Sequence, residues 1–287
     1  MLLPSRRRTN MMHITFWGVR GSCAAAGPET AEVGGNTSCV EVRAGATRVI
    51  LDAGTGLRAL GATLTSPVDV SILFSHFHWD HIQGFPFFAP AYRPGNRVDL
   101  YGPERVTGRD VRAALEAQMR PPHFPIGLDA MHAELGFFPL PAGARFQLGA
   151  FTVETAAANH PGGCLAYRLS SGGRSVVYAT DTEHAVEPDR HLVGLARGCD
   201  LLIYDAQYTR AEYPTKRGWG HSTPEEAVRL AEAAGAEQLV LFHHDPAHDD
   251  DAIRRMEADA RALFPLTTAA REGLTILLAP RAARDAA

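Results

Sequence analysis

The sequence predicts a layered α/β fold with mixed β-sheets. Short strand-like segments, rich in β-branched or aromatic residues, recur along the whole chain and are bounded by Gly, Pro, Asp or Asn. Helical patterns fall between some of these segments. No repeat, low-complexity tract or break in composition marks a linker. We therefore expect a single domain over residues 12–287, preceded by a disordered leader over residues 1–11.

The order of the elements also argues for mixed sheets, because strands dominate early and helices are interspersed later. The predicted strands are His13–Trp17, Cys39–Val42, Thr47–Leu51, Val68–Ser75, Val98–Tyr101, Phe151–Thr155, Cys164–Leu169, Ser175–Ala179, Leu201–Tyr204, Gln238–Phe242 and Leu274–Leu278. The predicted helices are Gly56–Leu64, Val106–Met119, Pro224–Ala234 and Asp250–Leu263. Thr223 and Glu226 form a capping-box pattern at the start of the third helix.

Composition limits the function classes that need to be considered. The 287 residues include Lys+Arg 28 and Asp+Glu 32, a net charge of −4 that argues against a general surface for duplex nucleic acid. The 4 cysteines form no C-x-x-C pair, which favours a reducing, cytoplasmic location. No apolar run approaches the roughly 18 residues that a membrane span needs. The 13 histidines raise the question of metal chemistry.

The sequence Ser75-His76-Phe77-His78-Trp79-Asp80-His81 follows directly on an apolar strand. Three imidazoles and a carboxylate at the end of a buried strand are costly unless hydrogen bonds, charge partners or a metal satisfy them. In an extended chain, His76 and His78 share a face, and a turn after Asp80 would direct His81 to a different position. The spacing can therefore serve two adjacent metal centres. A single histidine here would be read as structural, whereas four ligand-type residues at this spacing predict metal binding.

Residues 85–138 are rich in Pro and aromatic residues and are interpreted as an elaborated loop and helix insertion. Such insertions are typically functional covers or interfaces, so this segment is expected to form either a lid or a homodimer contact. Four aromatic residues of this segment have two interpretations: they line a pocket for a base or an apolar leaving group, or they pack internally. The aromatic residues in question are Phe85, Phe87, Phe88 and Phe124.

The His-x-His-x-Asp-His pattern resembles the signature of the metallo-β-lactamase-fold hydrolases. Further motifs of that family follow in the expected order, covering the chain from about Met12 to Leu278. They are Asn36-Thr37-Ser38, Ile50-Leu51-Asp52-Ala53-Gly54, Asn159-His160-Pro161, Tyr178-Ala179-Thr180-Asp181-Thr182 and Leu239-Val240-Leu241-Phe242-His243-His244. The resemblance implies a four-layer αββα sandwich with two mixed β-sheets.

The resemblance also implies a dinuclear metal centre. One metal would be held by His76, His78 and His160, the other by Asp80, His81 and His243, with Asp181 as the bridge. These nitrogen and oxygen ligands favour two divalent zinc ions, with manganese or iron as alternatives. The nucleophile would be a metal-bridging hydroxide oriented by Asp80, and Asp52 would support the ligands from behind. His244 competes with His243 as ligand, but successive strand residues point to opposite faces, so His244 is interpreted as a supporting residue.

The segment His221–Thr223 resembles the His-Ser/Thr motif of the phosphodiesterase branch, which holds tRNase Z and the cyclic-phosphate diesterase PhnP. The resemblance implies that His221 contacts the scissile phosphate or protonates the leaving oxygen. Ser222 and Thr223 also suit helix capping, and His221 itself has a structural interpretation as a surface residue. Arg20 has two equal interpretations, as a phosphate contact or as a surface residue.

The chain departs from tRNase Z between His160 and Asp181, where that enzyme carries a long Gly/Pro-rich arm for tRNA and this chain has only residues 161–180. The predicted function is hydrolysis of a small or cyclic phosphodiester, in the manner of stand-alone bacterial cyclic-phosphodiesterase-like members. An acyl hydrolase of the lactonase, thioesterase or glyoxalase II type is the alternative on the same metal site. A tRNA 3′-processing endonuclease is disfavoured, and a non-catalytic metal-binding or sensing protein is the alternative from a different class.

Overall fold

Two seven-stranded β-sheets lie face to face in the computed structural model of the chain, which describes residues 11–65, 67–104 and 110–281. In chain order the strands are β1 (Met12–Gly18), β2 (Cys39–Ala44), β3 (Thr47–Leu51), β4 (Asp69–Leu73), β5 (Arg97–Pro103), β6 (Glu134–Leu140), β7 (Arg145–Leu148), β8 (Phe151–Ala158), β9 (Cys164–Ser171), β10 (Arg174–Ala179), β11 (Leu201–Asp205), β12 (Leu239–Phe242), β13 (Thr267–Ala269) and β14 (Thr275–Leu278).

The two sheets share one topology. The first has the order β14-β1-β2-β3-β4-β5-β6 and the second β13-β12-β11-β10-β9-β8-β7. In the first sheet the pairs from β14 to β3 are antiparallel and those from β3 to β6 are parallel. In the second, β7 to β10 pair antiparallel and β10 to β13 pair parallel. Each sheet is therefore mixed, as the sequence predicts.

Helices cover the outer faces of both sheets. They are α1 (Gly56–Thr63), α2 (Trp79–Ile82), α3 (Val111–Gln118), α4 (Arg190–Ala196), α5 (Pro224–Ala234) and α6 (Asp250–Leu263). The first three helices share an apolar core with the first sheet, and the last three share one with the second sheet. A third core, which includes Ile14 and Tyr178, fills the space between the sheets. This αββα arrangement confirms the predicted fold class.

Burial along the strands follows their place in the layers. In β1 every second residue is fully buried, which is the pattern of a strand with one covered face. In β11 and β12 every residue is buried, because helices cover one face and the other sheet covers the opposite face. The polar residues that follow these buried strands are consequently held at a fixed edge of the sandwich.

The structure contains strands that the sequence patterns did not predict. β6, β7 and β13 are all edge strands, and β6 contains Gly136 and Pro139, residues that normally weaken a strand assignment. Residues 85–138 therefore contribute β5, α3 and most of β6, so this segment is more regular than a loop with one helix. The helix predicted at Val106–Met119 is observed as Val111–Gln118, and residues 106–109 lie outside the described residues.

Two further expectations concern the chain ends and the helix caps. Residues 1–10 of the expected leader lie outside the described residues. The capping-box prediction is wrong: Thr223 is the N-cap of α5, but its side chain makes no capping hydrogen bond. Within the described ranges, no helix has both the length and the apolar character that crossing a bilayer requires.

Candidate metal centre

The predicted site residues meet at one edge of the sandwich, where several strands end. Asp52 follows β3, Asp181 lies two residues beyond β10, and His243 follows β12. All three have a left-handed backbone, with φ of 59°, 52° and 63°. This conformation is uncommon for residues other than glycine and is typically retained where a functional geometry requires it. Each turn directs a polar side chain across the ends of the strands.

The first cluster of potential ligand atoms contains His76, His78, His160 and Asp181. The Nε2 atom of His160 lies 3.1 Å from Nδ1 of His78. Oδ2 of Asp181 lies 3.6 Å from Nε2 of His76 and 3.7 Å from Nε2 of His160. His78 is the exposed member of the cluster, and the other three are buried.

The second cluster contains Asp80, His81, Asp181 and His243, all of them buried. Nε2 of His81 lies 3.0 Å from Oδ2 of Asp80 and 3.3 Å from Oδ1 of Asp181. Nε2 of His243 lies 3.1 Å from each of the same two oxygens. Because Asp181 presents Oδ1 to this cluster and Oδ2 to the first, it is placed as a bridge between the two.

The other ring nitrogen of most of these histidines is fixed by a hydrogen bond pointing away from the clusters. Nδ1 of His81 donates to Oδ2 of Asp52 at 2.7 Å, and Nδ1 of His160 donates to the Gly220 carbonyl at 2.9 Å. Nδ1 of His243 donates to Oε1 of Gln207 at 2.9 Å. Such contacts hold a proton on Nδ1 and direct Nε2 towards the clusters, which is the usual arrangement of metal-ligating histidines.

Gly220 contributes to this arrangement through its backbone. Its φ is +89°, and a Cβ atom at this position would collide with the His160 ring. Glu183 holds the same loop, since its carboxylate accepts hydrogen bonds from the amides of Gly218 and Gly220 at 2.8 and 2.9 Å. The absence of a side chain at Gly220 therefore lets the backbone carbonyl approach and orient a predicted ligand.

The donor atoms fit divalent metal ions. A tetrahedral zinc ion with bonds of about 2.0–2.1 Å places its ligand atoms about 3.3 Å apart, close to the spacings in both clusters. In addition, Nε2 of His76 is buried and has no hydrogen-bond partner among the described residues. A buried ring nitrogen without a partner is costly, and a metal ion would satisfy it. The His/Asp clusters are thus able to bind metal.

The protonation states suit ligand roles for the first cluster. Burial lowers the pKa of His76 well below its ordinary value and also lowers the pKa of His78 and His160. These rings are neutral near pH 7, as metal ligation requires. Burial opposes a proton on His81, but the carboxylates of Asp181 and Asp80 outweigh it and raise the pKa of His81 well above its usual range.

His221 lies beside both clusters without belonging to either. Its ring centroid is 5.2 Å from that of His160 and 4.9 Å from that of His243, and the side chain is buried with 7% exposure. Its Nδ1 donates to Oδ2 of Asp205 at 2.8 Å. Burial disfavours the imidazolium, but the Asp205 carboxylate outweighs it and raises the pKa of His221 to about 9. The Asp205–His221 pair can therefore hold a proton next to the two clusters of potential ligand atoms.

The structure corrects one predicted site residue. Arg20 is fully buried, so neither the phosphate contact nor the surface position is right. Its guanidinium donates to the backbone carbonyls of Gly34, Asp245 and His248 at 2.8, 3.1 and 2.6 Å. Arg20 joins three chain segments and does not face the site.

The remaining predicted residues have clear positions. His244 lies outside both clusters, is buried, and bonds through Nε2 to the Ala270 carbonyl at 3.0 Å. Asp52 accepts hydrogen bonds from Ser75, His81 and Tyr178, all at 2.7–2.8 Å, and so lies behind His81. Both positions suit supporting residues.

Sequence reasoning missed Asp205 and Gln207. Asp205 ends β11, and a third cluster of potential ligand atoms joins it to Asp181, His221 and His243. A signal was present, since Asp205 directly follows the apolar residues 201–204, a position like that of Asp52 after residues 49–51. Gln207, which orients His243, carries no comparable signal, because a lone glutamine in a loop matches no ligand or catalytic pattern.

An αββα sandwich with clustered histidines and aspartates at its strand ends defines a hydrolase of the metallo-β-lactamase fold. Residues 47–244 match the family described as "Beta-lactamase superfamily domain", and the chain belongs to that family. Similarity to proteins named ribonuclease Z supports the phosphodiesterase branch of that family.

Individual relatives agree with this assignment. Ribonuclease Z of Brevibacillus brevis is 26% identical over 257 residues, covering 71% of this chain and 79% of the relative. The metallo-β-lactamase fold protein YhfI of Bacillus subtilis superposes with a TM-score of 0.72 at 21% identity, covering 94% of this chain and 100% of YhfI. A diphosphatase from the PhnP family superposes with a TM-score of 0.69 at 19% identity, covering 93% and 97% of the two chains. At these identities, the two solved structures show only that the fold is shared.

Proposed function

We propose that this protein is a dinuclear metal-dependent phosphodiesterase that cleaves a small or cyclic phosphodiester. The observation that carries the proposal is the Asp205–His221 pair, an imidazole hydrogen-bonded to a buried carboxylate beside two clusters of potential metal-ligand atoms. When a phosphodiester is hydrolysed, one of its alcohol groups departs as an alkoxide. A positioned acid that protonates the departing oxygen lowers the barrier.

The metals would be held by the residues of the two clusters, with Asp181 shared between them. When bound, two divalent ions would polarise the phosphoryl group and lower the pKa of a water molecule towards about 7. Zinc suits the nitrogen and oxygen donors best, with manganese or iron as alternatives.

The chain's own residues would then orient the reaction. Oδ2 of Asp80 accepts a hydrogen bond from the Ser22 amide at 2.8 Å, which fixes the carboxylate beside His81 and His243. Nε2 of His221 is the proton donor, because Nδ1 is engaged by Asp205. Burial opposes the charged imidazole, and the Asp205 carboxylate outweighs burial, so the pKa of His221 stays above neutral pH and the proton is available there.

An acyl hydrolase would use the same metal ligands, but lactone and thioester leaving groups have less need of a protonated imidazole. A tRNA 3′-processing activity is favoured by the similarity to ribonuclease Z. Against this activity, the stretch between His160 and Asp181 is filled by strands β9 and β10 and the short turn after Ser171, which leaves no room for a long arm. We therefore keep tRNA processing as the second candidate.

A substrate panel on metal-reconstituted protein tests the proposal. It contains bis(p-nitrophenyl) phosphate, 2′,3′- and 3′,5′-cyclic nucleotides, a lactone, a thioester and a pre-tRNA with a 3′ trailer. We expect turnover of at least one small phosphodiester, lost in Asp181→Ala and retained in His191→Ala, which changes an exposed histidine. Turnover of only the lactone or thioester would replace the proposal with an acyl hydrolase. Cleavage of pre-tRNA alone would favour the ribonuclease Z function.

A further inference from the structure

An open cleft of about 700 Å³ is lined by side chains of the metal-binding motif that are not predicted ligands, together with residues of α2, α3 and the segments that follow each of them. We call it the aromatic cleft and define it by Phe77, Trp79, Phe87, Arg120, His123 and Phe124. Trp79 stands between two predicted metal ligands, His78 and Asp80, so the cleft and the ligand clusters draw on the same short stretch of chain. None of these six residues has a role in the metal centre described above.

The cleft exposes large apolar side chains to solvent. Trp79 is 70% exposed and Phe87 is 53% exposed, whereas neighbouring Phe85 and Phe88 are fully buried in the core. The Phe87 ring packs edge-on against the ring of Phe124, with centroids 5.7 Å apart. Of the four aromatic residues singled out in this segment, two therefore pack internally and two line a cavity. Grouped exposed aromatic residues are a common mark of a binding surface.

The walls of the cleft are anchored to the fold. The Phe77 ring lies 5.9 Å from the ring of Phe74, which belongs to the core beneath the first sheet. Nε2 of Gln118, on α3, donates to the Ile82 carbonyl, on α2, at 3.0 Å. The short helix that carries Trp79 is thus tied to α3 on the opposite wall, so the spacing of the two walls is fixed by the fold.

We infer that the aromatic cleft binds the base of a nucleoside phosphodiester, with Trp79 as the stacking platform. This inference rests on the proposed function and narrows its substrate class. Every nucleobase presents a flat π face, and stacking on an aromatic side chain contributes about 5- to 150-fold in affinity per base. The cleft volume lies within the range of about 300–1,000 Å³ that is typical of small-molecule sites.

Polar groups in the cleft suit such a ligand. The Arg120 guanidinium can stack on a base or pair with a phosphate, and the His123 ring can donate to a base edge. His78 is the exposed member of the first cluster, and it directly precedes Trp79 in the chain. A substrate could therefore place its phosphate at the ligand clusters and its base in the cleft. A purely apolar partner would leave Arg120 and His123 without a function.

Tryptophan fluorescence tests the inference independently of catalysis. Adenosine 5′-monophosphate and ribose 5-phosphate are titrated into the full-length protein. The variants are Trp79→Ala and Trp79→Phe, with Phe138→Ala as the control because Phe138 is an exposed aromatic residue outside both the cleft and the ligand clusters. We expect saturable quenching by the nucleotide and none by ribose 5-phosphate. Isothermal titration calorimetry, which needs no tryptophan reporter, should show that Trp79→Ala weakens nucleotide binding about tenfold or more, that Trp79→Phe weakens it less, and that Phe138→Ala leaves it unchanged.

A kinetic comparison separates this inference from the proposed function. Trp79→Ala should raise KM for 2′,3′-cyclic AMP about tenfold more than KM for glycerol 1,2-cyclic phosphate, which has no base. Nucleotide quenching at Trp79 without any phosphodiester turnover would support the cleft and refute the proposed function. Phosphodiester turnover with no quenching and equal KM changes would overturn the cleft assignment. Self-association abolished by Trp79→Ala, without nucleotide binding, would overturn it in favour of a second copy of the chain.

Discussion

Replacing His221 with alanine should remove the proton donor and leave the metal clusters intact. Nδ1 of His221 donates only to Asp205, and the ring contacts His160 and His243 without contributing an atom to the two principal clusters. A positioned general acid contributes about 10²- to 10⁴-fold to a rate, or about 3–5 kcal/mol. We expect kcat for an alkyl phosphodiester to fall by that range.

The leaving group supplies the discriminating comparison. p-Nitrophenolate leaves as a stabilised anion and needs little protonation, so bis(p-nitrophenyl) phosphate should lose much less activity than a cyclic nucleotide. Asp205→Asn should show the same pattern in milder form, because the imidazole remains but its orienting carboxylate is lost. Added imidazole should partly restore turnover of the cyclic nucleotide by His221→Ala.

Steady-state kinetics on both substrates measure this effect, with metal content and melting temperature recorded for every variant. His191→Ala is the matched control, because His191 is exposed on α4. Unchanged kinetics in His221→Ala, or equal losses on the two substrates, would refute a proton-donor role. Loss of bound metal in the same variant would instead make His221 a ligand.

Three further perturbations address the centre and its support. Chelation should lower the melting temperature. An ion that binds only the folded state stabilises that state by about 2.7 kcal/mol at a hundredfold excess over Kd. A melting curve that the chelator does not change would argue against a metal site in the folded protein. Asp52→Ala should lower the free energy of unfolding, measured in urea, by roughly 3–5 kcal/mol, because the buried donors of Ser75, His81 and Tyr178 lose their acceptor. A decrease below about 1 kcal/mol would contradict the importance of this hydrogen-bond network. Arg20→Met should lower the free energy of unfolding by about 3 kcal/mol, because three backbone carbonyls lose a charged donor. Its KM should stay unchanged, and a raised KM with unchanged stability would restore Arg20 as a substrate contact.

Much of the fold could be predicted because its central strands are short, apolar and bounded by turn residues. β11 and β12 illustrate this, since both are buried on two faces and read as continuous apolar runs. Three edge strands escaped prediction because an edge need not be apolar on both faces and tolerates proline. Pro139 in β6 is the clearest case.

The clustering of the His and Asp side chains could be predicted because these residues combine rare residue types with strand-end positions. His76 and Asp181 belong to motifs whose order along the chain matches a known family. Arg20 could not be predicted, because the same guanidinium suits a phosphate, the solvent or three backbone carbonyls. Only the packed structure shows that Gly34, Asp245 and His248 surround it.

Asp205 shows what a spacing pattern leaves out. Its partner His221 follows it across a long loop, and a hydrogen bond between them depends on how Glu183 and Gly220 fold that loop back. Nothing in local sequence measures that distance. The proton-holding pair therefore emerges from tertiary structure, although each member follows a recognisable local pattern.

Metal analysis combined with phosphodiester turnover tests the dinuclear assignment most directly. After preparation with added zinc and removal of unbound ions, elemental mass spectrometry should find about two ions per chain, as a bridged two-metal centre requires. Turnover should follow metal content as a chelator removes the ions and zinc restores them. Fewer than one transition-metal ion per chain, with phosphodiester turnover intact, would contradict the dinuclear centre.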